Sequence, residues 1–590
     1  MTQSVAEGVK PQPGVTFVVL DSSAVNDTAP ASELTYAQTF HTVAAQLTAP
    51  GAPFEIATVD IGGLATKVFV NAPKTLCEVF ERGRANGDDP FIVYEDETHS
   101  FAAVMSSVDA LAAALVNDFG IKPGDRVAVA MRNYPEWIMA FAGIISAGGI
   151  SVSMNSWWTE DELAYALEDC GASVLIADDE RLARGMAACD RFGIKMISVR
   201  MKSPRAGVVA WNDAVVPGTP APNVTVTPDM DATILYTSGT TGRPKGAVST
   251  HLAICQALMA FQMRGVIESM RPGAAPPSAS KPSFILIVPL FHVTGCVPVM
   301  LSCFGGGLKL VVMYKWDAEK ALELIERERV TNFTGVPTQS WDLVNHPRFA
   351  EFDTSSLRDV GGGGAPAPAA LVRKVAGSLK GGGPVLGYGM TETNAYGPGN
   401  RGRDYLEHPT STGRWVPVMD LEIRGLDRRP LPVGERGDIW FRAPNLIRGY
   451  WNKPEATAET IVDGWLISGD IGRLDEDGFL YIEDRAKDMI LRGGENVYCA
   501  EIEAVIYELA GIHEAAVFGL EHPRLGEEVA VAVHMLAGAT LDPAALQAHV
   551  ATKLASFKVP SKVFVIDEPL PRNAAGKFLK RELTKKFAGG

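Results

Sequence analysis

The sequence predicts an α/β protein: a large region of helix-covered, largely parallel sheets, followed by a small α+β domain. Two observations support this fold class. Apolar strands alternate with helices from about residue 75 onward, a pattern typical of parallel sheets with helical crossovers. Past residue 480 the elements become shorter and more mixed over about 100 residues, an ordinary size for a separate domain.

The alternation is clearest between residues 126 and 177. Residues 126–131 predict an apolar strand, and residues 135–147 predict an apolar helix ended by two glycines. A second helix is predicted at 161–170 and a second strand at 173–177. A strand, a helix and another strand in this order favour parallel pairing.

The longest apolar region, residues 284–313, is interrupted by two prolines, a histidine, three consecutive glycines and a lysine. These interruptions predict a strand, a turn, a buried helix and a strand, and they argue against a membrane span. A charged amphipathic helix is predicted at 319–329, followed by an apolar strand that runs into 334–338. The carboxyl ends of such strands are where α/β proteins bind ligands.

The C-terminal pattern consists of helices at 501–509 and 543–554 and strands at 515–520, 528–535 and 562–566. A charged segment, residues 484–488, separates this pattern from the larger region before it. We therefore divide the chain into an N-terminal extension at 1–74, a large domain at 75–485 and a C-terminal domain at 486–590.

Composition limits the function classes. The chain has 590 residues and a net charge of −15, which disfavours a general affinity for nucleic acid or anionic membrane. Weak peripheral membrane contact and a homodimer stay open. The seven cysteines show no metal-binding spacing and the first residues lack a signal-peptide pattern, so we expect reduced thiols in a cytoplasmic protein.

Residues 236–246 read Tyr-Thr-Ser-Gly-Thr-Thr-Gly-Arg-Pro-Lys-Gly and follow a predicted strand at 231–237. Glycine-freed backbone N–H groups, hydroxyls and one ammonium group can form a concave anion site. The usual nucleotide-binding loop pattern fails here because Pro244 precedes Lys245 and Gly246 follows it. This segment alone allows a phosphate-binding loop or a flexible surface linker.

Seven further segments follow in order: Pro-Leu-Phe-His at 289–292, Gly-Gly-Ala-Pro at 363–366, Gly-Tyr-Gly-Met-Thr-Glu at 387–392, Gly-Trp-Leu-Ile-Ser-Gly-Asp at 464–470, Asp-Arg-Ala-Lys-Asp at 484–488, Gly-Gly-Glu-Asn at 493–496 and Pro-Arg-Asn-Ala-Ala-Gly-Lys at 571–577. With the loop, they make residues 75–585 resemble the adenylate-forming enzymes, in the acyl-CoA synthetase branch. The superfamily also includes aryl-CoA ligases, firefly luciferase and peptide-synthetase adenylation domains. The resemblance implies a β subdomain in the large domain and a mobile C-terminal domain.

The resemblance implies a reaction in two halves. A carboxylate attacks the α-phosphate of ATP to give acyl-AMP and pyrophosphate, and a thiol then takes the acyl group and releases AMP. The expected small molecules are a carboxylic acid, ATP, coenzyme A and Mg²⁺. In the first half two anions must meet, so positive charge and oriented donors are needed around them.

By the same resemblance, the residues that bind ATP and AMP are Thr237, Ser238, Gly239, Thr240, Thr241, Lys245, Gly363, Gly364, Ala365, Tyr388, Gly389, Asp470 and Arg485. The loop would hold the β- and γ-phosphates. Tyr388 would stack on adenine, and Asp470, supported by Arg485, would bind the ribose hydroxyls. The alternatives are a core tyrosine for Tyr388 and a surface ion pair for Arg485.

The implied catalytic residues are Lys577, Glu392 and Thr391. Lys577 would place its ammonium group between carboxylate and α-phosphate, Thr391 would contact the α-phosphate, and Glu392 would be the metal ligand for Mg²⁺. A solvent-exposed lysine and a solvated loop carboxylate are the alternatives. Lys487 aligns with the hinge, and Gly493 and Gly494 with a channel for the pantetheine arm of coenzyme A.

The acyl pocket is expected to involve His292, Gly335, Val336, Gly361, Gly362, Gly387 and Met390. His292 stands where enzymes for amino acids have an aspartate, so an α-amino acid is disfavoured. Four consecutive glycines at 361–364 suggest either room for a long chain or broad ring, or backbone freedom for a turn. A medium- or long-chain fatty acid is the first expectation and an aryl acid the second. Transfer to a carrier protein stays open as an alternative to coenzyme A.

Overall fold

The computed structural model describes residues 36–237, 243–273, 281–365, 367–485, 488–492, 495–573 and 576–588. Within these ranges the strands form two eight-stranded sheets, two five-stranded sheets and one two-stranded sheet. The eight-stranded sheets are largely parallel and covered by helices, and the smaller sheets are mainly antiparallel. The predicted α/β class, with a β subdomain and a small α+β unit at the C-terminal end, is confirmed.

The first eight-stranded sheet consists, in spatial order, of Gly449–Tyr450, Lys245–Thr250, Asp231–Thr237, Ile150–Ser153, Arg126–Ala130, Val174–Asp178, Lys195–Val199 and Val208–Ala210. The Lys245–Thr250 strand is antiparallel to both neighbours, and the remaining pairs are parallel. Helices Pro135–Ser146, Glu160–Cys170 and Asp179–Phe192 connect its parallel strands, as the alternation predicted.

The Glu160–Cys170 helix shows how local sequence sets the limits of an element. Thr159 accepts a hydrogen bond from the Glu162 N–H, and the Glu162 carboxylate accepts one from the Thr159 N–H at 2.9 Å. This reciprocal pair is a capping box. Gly171 ends the helix in the left-handed region, at φ 61°, which glycine adopts without steric cost.

The second eight-stranded sheet consists, in spatial order, of Gly399–Arg401, Gly383–Gly387, Asp359–Gly363, Asn332–Gly335, Ser283–Leu286, Lys309–Val312, Pro90–Tyr94 and Glu97–Ser100. Only the two outermost pairs are antiparallel. The six inner strands therefore all end at the same edge. That edge is where the predicted segments at 289–292, 334–338, 363–366 and 387–392 begin.

The apolar region predicted as strand, turn, helix and strand has that order. It contains Ser283–Leu286, a π-helix at Gly295–Leu301, a short α-helix at Ser302–Gly306, and Lys309–Val312. In the described ranges, no helix has both the length and the hydropathy needed to cross a membrane.

The other helices lie on the faces of the sheets or in their connections. They are Tyr36–Thr48, Leu76–Arg84, Phe101–Asn117, Trp211–Ala214, His251–Met270, Ala318–Glu328, Pro337–Val344, Ala369–Ser378, Gly402–Glu407 and Pro454–Thr460, with short 3₁₀ turns at Phe349–Glu351, Thr391–Thr393 and Ser556–Lys558. The main hydrophobic core includes residues of both large sheets, with Trp137, Phe141 and Phe304 among its largest buried side chains.

The β subdomain is an antiparallel sheet of Asp420–Arg424, Gly437–Arg442, Trp465–Leu474, Ile461–Val462 and Leu480–Arg485. The C-terminal sheet contains Glu495–Val497, Ile490–Arg492, Gly526–Met535, Ile512–His522 and Lys562–Ile566, with helices Cys499–Ile506, Pro543–Lys553 and Lys580–Phe587. Two hydrophobic clusters of its own pack against this sheet. The domain limits at 74/75 and 485/486 stay predictions.

The N-terminal extension contributes the Tyr36–Thr48 helix and a hairpin of Ile56–Ile61 and Leu64–Phe69. A buried ionic cluster ties this helix to the large domain. The Asp404 carboxylate accepts from Arg271 at 2.7 Å and from Arg414 at 2.6 Å, and all three side chains are at most 7% exposed. The same two guanidinium groups donate to the carbonyls of Tyr36 and Ala37, each at 2.9 Å.

We predict that Asp404→Ala destabilises the large domain by about 3–5 kcal/mol, because it leaves the buried Arg414 guanidinium group without its carboxylate and Arg271 with Glu268 alone. The measurement is the urea unfolding midpoint, followed by tryptophan fluorescence. Glu407→Ala is the matched control, since Glu407 lies on the same helix and pairs with Arg403 on the exposed surface. An equal shift of the midpoint in both variants would contradict the assignment.

Candidate active site

A continuous cavity of about 1870 Å³ opens at the carboxyl edge of the second sheet, where the large domain meets the C-terminal domain. It gathers many of the predicted site residues: Thr237, Lys245, His292, Gly362, Gly363, Gly364, Ala365, Gly387, Tyr388, Gly389, Met390, Thr391, Glu392, Asp470 and Lys577. The most distant of these are 340 positions apart in the sequence, Thr237 and Lys577. A shared cavity between two domains is a common place for ligand binding.

The other predicted residues are distributed as follows. Gly335 and Val336 line a neighbouring cavity of about 700 Å³, which shares Thr237, His292, Gly363 and Gly364 with the first. Gly361 lies within a strand and lines neither cavity. Arg485 pairs with Asp470 in the strand ladder. The remaining predictions, for Ser238, Gly239, Thr240, Thr241, Lys487, Gly493 and Gly494, lie outside the described residues.

Glu392 is held in a buried position by a tyrosine that the sequence did not single out. Glu392 is only 7% exposed, and its Oε1 accepts a hydrogen bond from the Tyr450 hydroxyl at 2.6 Å. Burial and the nearby carboxylate raise the pKa of Tyr450, so the hydroxyl remains a donor at neutral pH. The Lys245 ammonium group lies 5.2 Å from the centroid of the same ring, within cation–π range. Tyr450 thus positions both a carboxylate and an ammonium group.

The turn after Glu392 is fixed by buried amides. Asn394 adopts φ 50°; its Oδ1 accepts from the Ser249 hydroxyl at 2.9 Å, and its Nδ2 donates to the Asn445 carbonyl at 3.0 Å. Asn445 in turn donates to the Thr393 carbonyl at 2.7 Å. Gly389 must lack a side chain here, because a Cβ would overlap the Ala395 carbonyl group.

Tyr388 and Asp470 meet across the cavity wall. The Tyr388 hydroxyl donates to Asp470 Oδ2 at 2.5 Å, and the Asp470 N–H donates to the Ser468 hydroxyl at 3.1 Å. The two residues are contributed by the second sheet and by the β subdomain, respectively. A flat ring and a carboxylate therefore lie side by side at the edge of the cavity.

The four glycines at 361–364 lack a side chain for two different structural reasons. A Cβ at Gly361, Gly362 or Gly363 would collide with a carbonyl oxygen of an adjacent strand, that of Val385, Gly335 or Gly387. Gly364 has φ +86°, and the nearest atoms to a Cβ there would be Val336 Cγ1 at 3.8 Å and Lys577 Cε at 4.0 Å. Close strand packing explains the first three glycines, and a left-handed turn beside the cavity explains the fourth.

Lys577 belongs to a loop that is well anchored in the C-terminal domain. The buried Glu514 carboxylate accepts from the Leu570 N–H at 2.6 Å and from Arg572 at 2.9 Å. The Lys577 N–H donates to Asn573 Oδ1 at 2.9 Å. A methyl group added to Gly576, which has φ +79°, would lie only 3.1 Å from Val336 Cγ2. The loop is thus packed directly against the large domain.

His292 lies near the Lys577 side chain at the floor of the cavity. Burial of the ring, and then the positive charge of Lys577, lower the pKa of His292 to about 4. Its Nδ1 accepts from the Thr294 N–H at 3.2 Å. The imidazole is therefore neutral at pH 7, and it adds no second positive charge beside Lys577.

Within the described residues no group of three or more His, Cys, Asp or Glu side chains could hold a metal ion by itself. Glu392 is a single buried carboxylate, linked through the Tyr450 ring to Lys245. A site with one protein carboxylate suits a hard cation that takes its other oxygens from phosphate and water.

The comparisons with known proteins agree with this geometry. Residues 79–451 match the family model described as AMP-binding enzyme, and residues 501–577 match the AMP-binding enzyme C-terminal domain. The first match alone spans more than half of the chain.

Similar proteins act on different acids. A feruloyl-CoA synthase of Amycolatopsis is 36% identical over 79% of this chain and 90% of its own length. A 3-[(3aS,4S,7aS)-7a-methyl-1,5-dioxo-octahydro-1H-inden-4-yl]propanoyl:CoA ligase of Mycobacterium tuberculosis is 35% identical over 84% of this chain and 95% of its own. A long-chain-fatty-acid–CoA ligase of the same species is 33% identical, with coverages of 86% and 97%.

Two solved structures share the architecture. ATP-bound MatB from Rhodopseudomonas palustris has a TM-score of 0.77 at 29% identity and covers 87% of this chain and 99% of its own. The amide bond synthetase McbA from Marinactinospora thermotolerans has a TM-score of 0.77 at 28% identity, with coverages of 88% and 100%.

We predict that Lys577→Ala raises the pKa of His292, because it removes a positive charge that disfavours the imidazolium form. Histidine-selective NMR titration measures this pKa, with His292→Gln used to assign the resonance. Lys585→Ala is the control, since Lys585 is an exposed lysine of the same tail. If both alanine variants titrate like the parent, Lys577 is not near His292 in solution.

Proposed function

The chain belongs to the AMP-binding enzyme family, among its AMP-forming CoA ligases, and we propose that it converts a medium- or long-chain carboxylic acid through acyl-AMP to acyl-CoA. AMP and pyrophosphate would be released. The observation that carries this proposal is the convergence of Lys577, Glu392 and Asp470 on one cavity. These are the residues to which the resemblance assigns adenylation, metal binding and ribose binding.

In the proposed adenylation step, positive charge surrounds the two anions that must react. Lys245 and the loop that precedes it would hold the β- and γ-phosphates, Thr391 would contact the α-phosphate, and Lys577 would approach from the opposite domain. Fixed cationic and N–H groups stabilise developing charge without reorganising during the reaction. Because His292 is neutral, the carboxylate would pair with the Lys577 ammonium group and not with the imidazole.

Glu392 would hold Mg²⁺ together with phosphate oxygens, and the cation would neutralise phosphate charge when it is bound. The hydrogen bond from Tyr450 fixes the direction of this carboxylate. Asp470 would bind the ribose hydroxyls, a role that suits a carboxylate because it only accepts hydrogen bonds. Tyr388 would stack on adenine, with Gly363, Gly364 and Ala365 at its edge.

The acid would occupy a branch of the cavity that runs along the second sheet beneath the His251–Met270 helix. Apolar side chains from both elements and from the π-helix region line it: Phe261, Val266, Phe284, Leu301, Leu308 and Val385. Gly265 adds space, because no atom lies within 4 Å of a Cβ placed on it. This run of apolar lining favours an extended acid. An aryl acid is the second candidate, favoured by the 36% identity to a feruloyl-CoA synthase.

The second half of the reaction would require the Lys577 loop to leave Val336. Rotation about Lys487 would then present Gly493 and Gly494 to the acyl-AMP, where small residues admit the narrow pantetheine arm. Coenzyme A is the proposed acceptor, since the relatives named above are CoA ligases. A carrier protein is the alternative acceptor.

We predict AMP release that depends on an acid, ATP and coenzyme A, and that is fastest with extended acids in a panel of fatty, aryl and amino acids. The measurement is AMP formation with and without coenzyme A. Amino acids should give no signal above background, because nothing in the sequence pattern replaces the missing aspartate at His292. Acid-dependent AMP release that is indifferent to coenzyme A would contradict a CoA ligase.

We predict that Lys577→Ala lowers the rate of acyl-AMP formation by about 100-fold or more, the usual effect of removing one electrostatic contact to a transition state. Thioester formation from supplied acyl-AMP should be spared. Acid-dependent pyrophosphate exchange and single-turnover thioester formation measure the two halves separately, with Lys585→Ala as control. Equal losses in both halves would refute the division of labour.

A further inference from the structure

The acid branch of the cavity is not apolar throughout. Polar side chains also line it near the amino ends of the strands, at the level of Phe284: Asn332, Asp359 and Arg401. We call this set the distal polar cluster. Its consequence for substrate choice rests on the proposed function, because it assumes that the acid lies in this branch.

The distal polar cluster lies at the opposite end of the second sheet from the reacting groups. Asn332 and Asp359 are paired neighbours at the start of two parallel strands. The second of these strands ends at Gly363, beside Lys577. Parallel strands rise about 3.3 Å per residue, so four residues separate the two ends by about 13 Å. An extended acid with its carboxylate near Lys577 would therefore bring its far end to this cluster.

The contacts within the distal polar cluster engage both Asp359 oxygens and leave donors of Arg401 unengaged. Asp359 accepts from Asn332 Nδ2 at 2.9 Å and from Arg401 Nη2. Among the described residues, Arg401 Nη1 and Nε have no hydrogen-bond partner. The Arg401 side chain is 29% exposed while lining the cavity.

An arginine in this position discriminates between substrates. A methyl group that reaches it would displace water from a guanidinium group without replacing the hydrogen bonds, which is unfavourable. An acceptor oxygen would replace them. Each oxygen of Asp359 already accepts from one protein donor, and its bond to Arg401 fixes the orientation of that guanidinium group.

We propose that the distal polar cluster recognises a hydrogen-bond-accepting oxygen, a ketone or a hydroxyl, at the far end of the acid. Arg401 is the specificity-determining residue, and Asp359 and Asn332 position its guanidinium group. The preferred substrate class is thus an extended acid oxygenated at the end remote from its carboxylate.

The test compares kcat/KM for CoA-dependent AMP release with decanoic acid, ω-hydroxydecanoic acid, the corresponding acid with a ketone next to its terminal methyl group, and 3-hydroxydecanoic acid. We expect the two acids oxygenated at the far end to exceed decanoic acid by about 10-fold or more. The 3-hydroxy acid should gain nothing, because its oxygen lies close to the carboxylate. The ranking of hydroxyl and ketone identifies which oxygen is preferred.

Arg401→Met should abolish the preference, so that plain and oxygenated acids react with equal kcat/KM. Arg401→Lys should restore part of it. Arg403→Met is the matched control, since Arg403 is two residues away and pairs with Glu407 on the surface. Equal rates with plain and oxygenated acids in the parent enzyme, or equal changes for both in Arg401→Met, would overturn the proposal.

A binding measurement on the unaltered protein guards against a variant that fails to fold. The sulfamoyladenosine analogue of ω-hydroxydecanoyl-AMP should bind about 10-fold or more tightly than the decanoyl analogue, and equal affinities would also overturn the proposal. The proposed function fails in a different way, when no acid in the panel supports CoA-dependent AMP release.

Discussion

The arrangement of the candidate site depends on buried hydrogen bonds around the turn that contains Thr393 and Asn394. These residues lie between the Gly383–Gly387 and Gly399–Arg401 strands of the second sheet. Their side chains and backbone nevertheless bond to Ser249 of the first sheet and to Asn445, which precedes the Gly449–Tyr450 strand of that sheet. All four residues are at most 1% exposed. Buried hydrogen bonds are costly to break, so these contacts fix one geometry, although Asn445 Oδ1 itself accepts no hydrogen bond from the described residues. Glu392 directly precedes Thr393, so the same contacts fix its position. Tyr450 contacts both Glu392 and Lys245 and thereby links the two.

Much of this organisation was predictable from the sequence. Periodicity located the strand at Asp231–Thr237 and the Glu160–Cys170 helix, since local capping and alternation set their limits. The order of motifs gave the family, which the comparisons confirm. Contacts between remote segments were beyond reach. Tyr450 lies 58 residues from Glu392 and Arg401 lies 42 from Asp359, and no local pattern marks either pair. The sequence predicts ligand space or a turn for the glycines at 361–364; the turn holds for Gly364, whereas the close strand packing at the other three is visible only in three dimensions.

Cations and carboxylates alternate around the cavity. The chain carries a net charge of −15, and Lys245, Lys577 and Arg401 line the cavity together with carboxylates such as Glu392 and Asp470. The proposed ligands ATP, coenzyme A and a carboxylate are all anions, so individual cations would hold them, and not a positive field of the whole site. Ionic screening limits longer-range fields to about 10 Å, so these contacts act only over short distances. The acidic balance of the chain disfavours loose association with other polyanions.

The anchoring of the Lys577 loop has a consequence for timing. Glu514, Arg572 and Asn573 tie the loop to the C-terminal domain, and Gly576 meets the large domain at Val336. Because these contacts fix the Lys577 backbone to the C-terminal domain, the residue changes its place when that domain moves. The proposed alternation of the two half-reactions would then be a single switch, in which departure of the ammonium group and arrival of the thiol channel are one displacement. Acyl-AMP would then face either the Lys577 ammonium group or the thiol channel, but not both at once. The anchoring of one loop would thereby set the order of the two chemical steps.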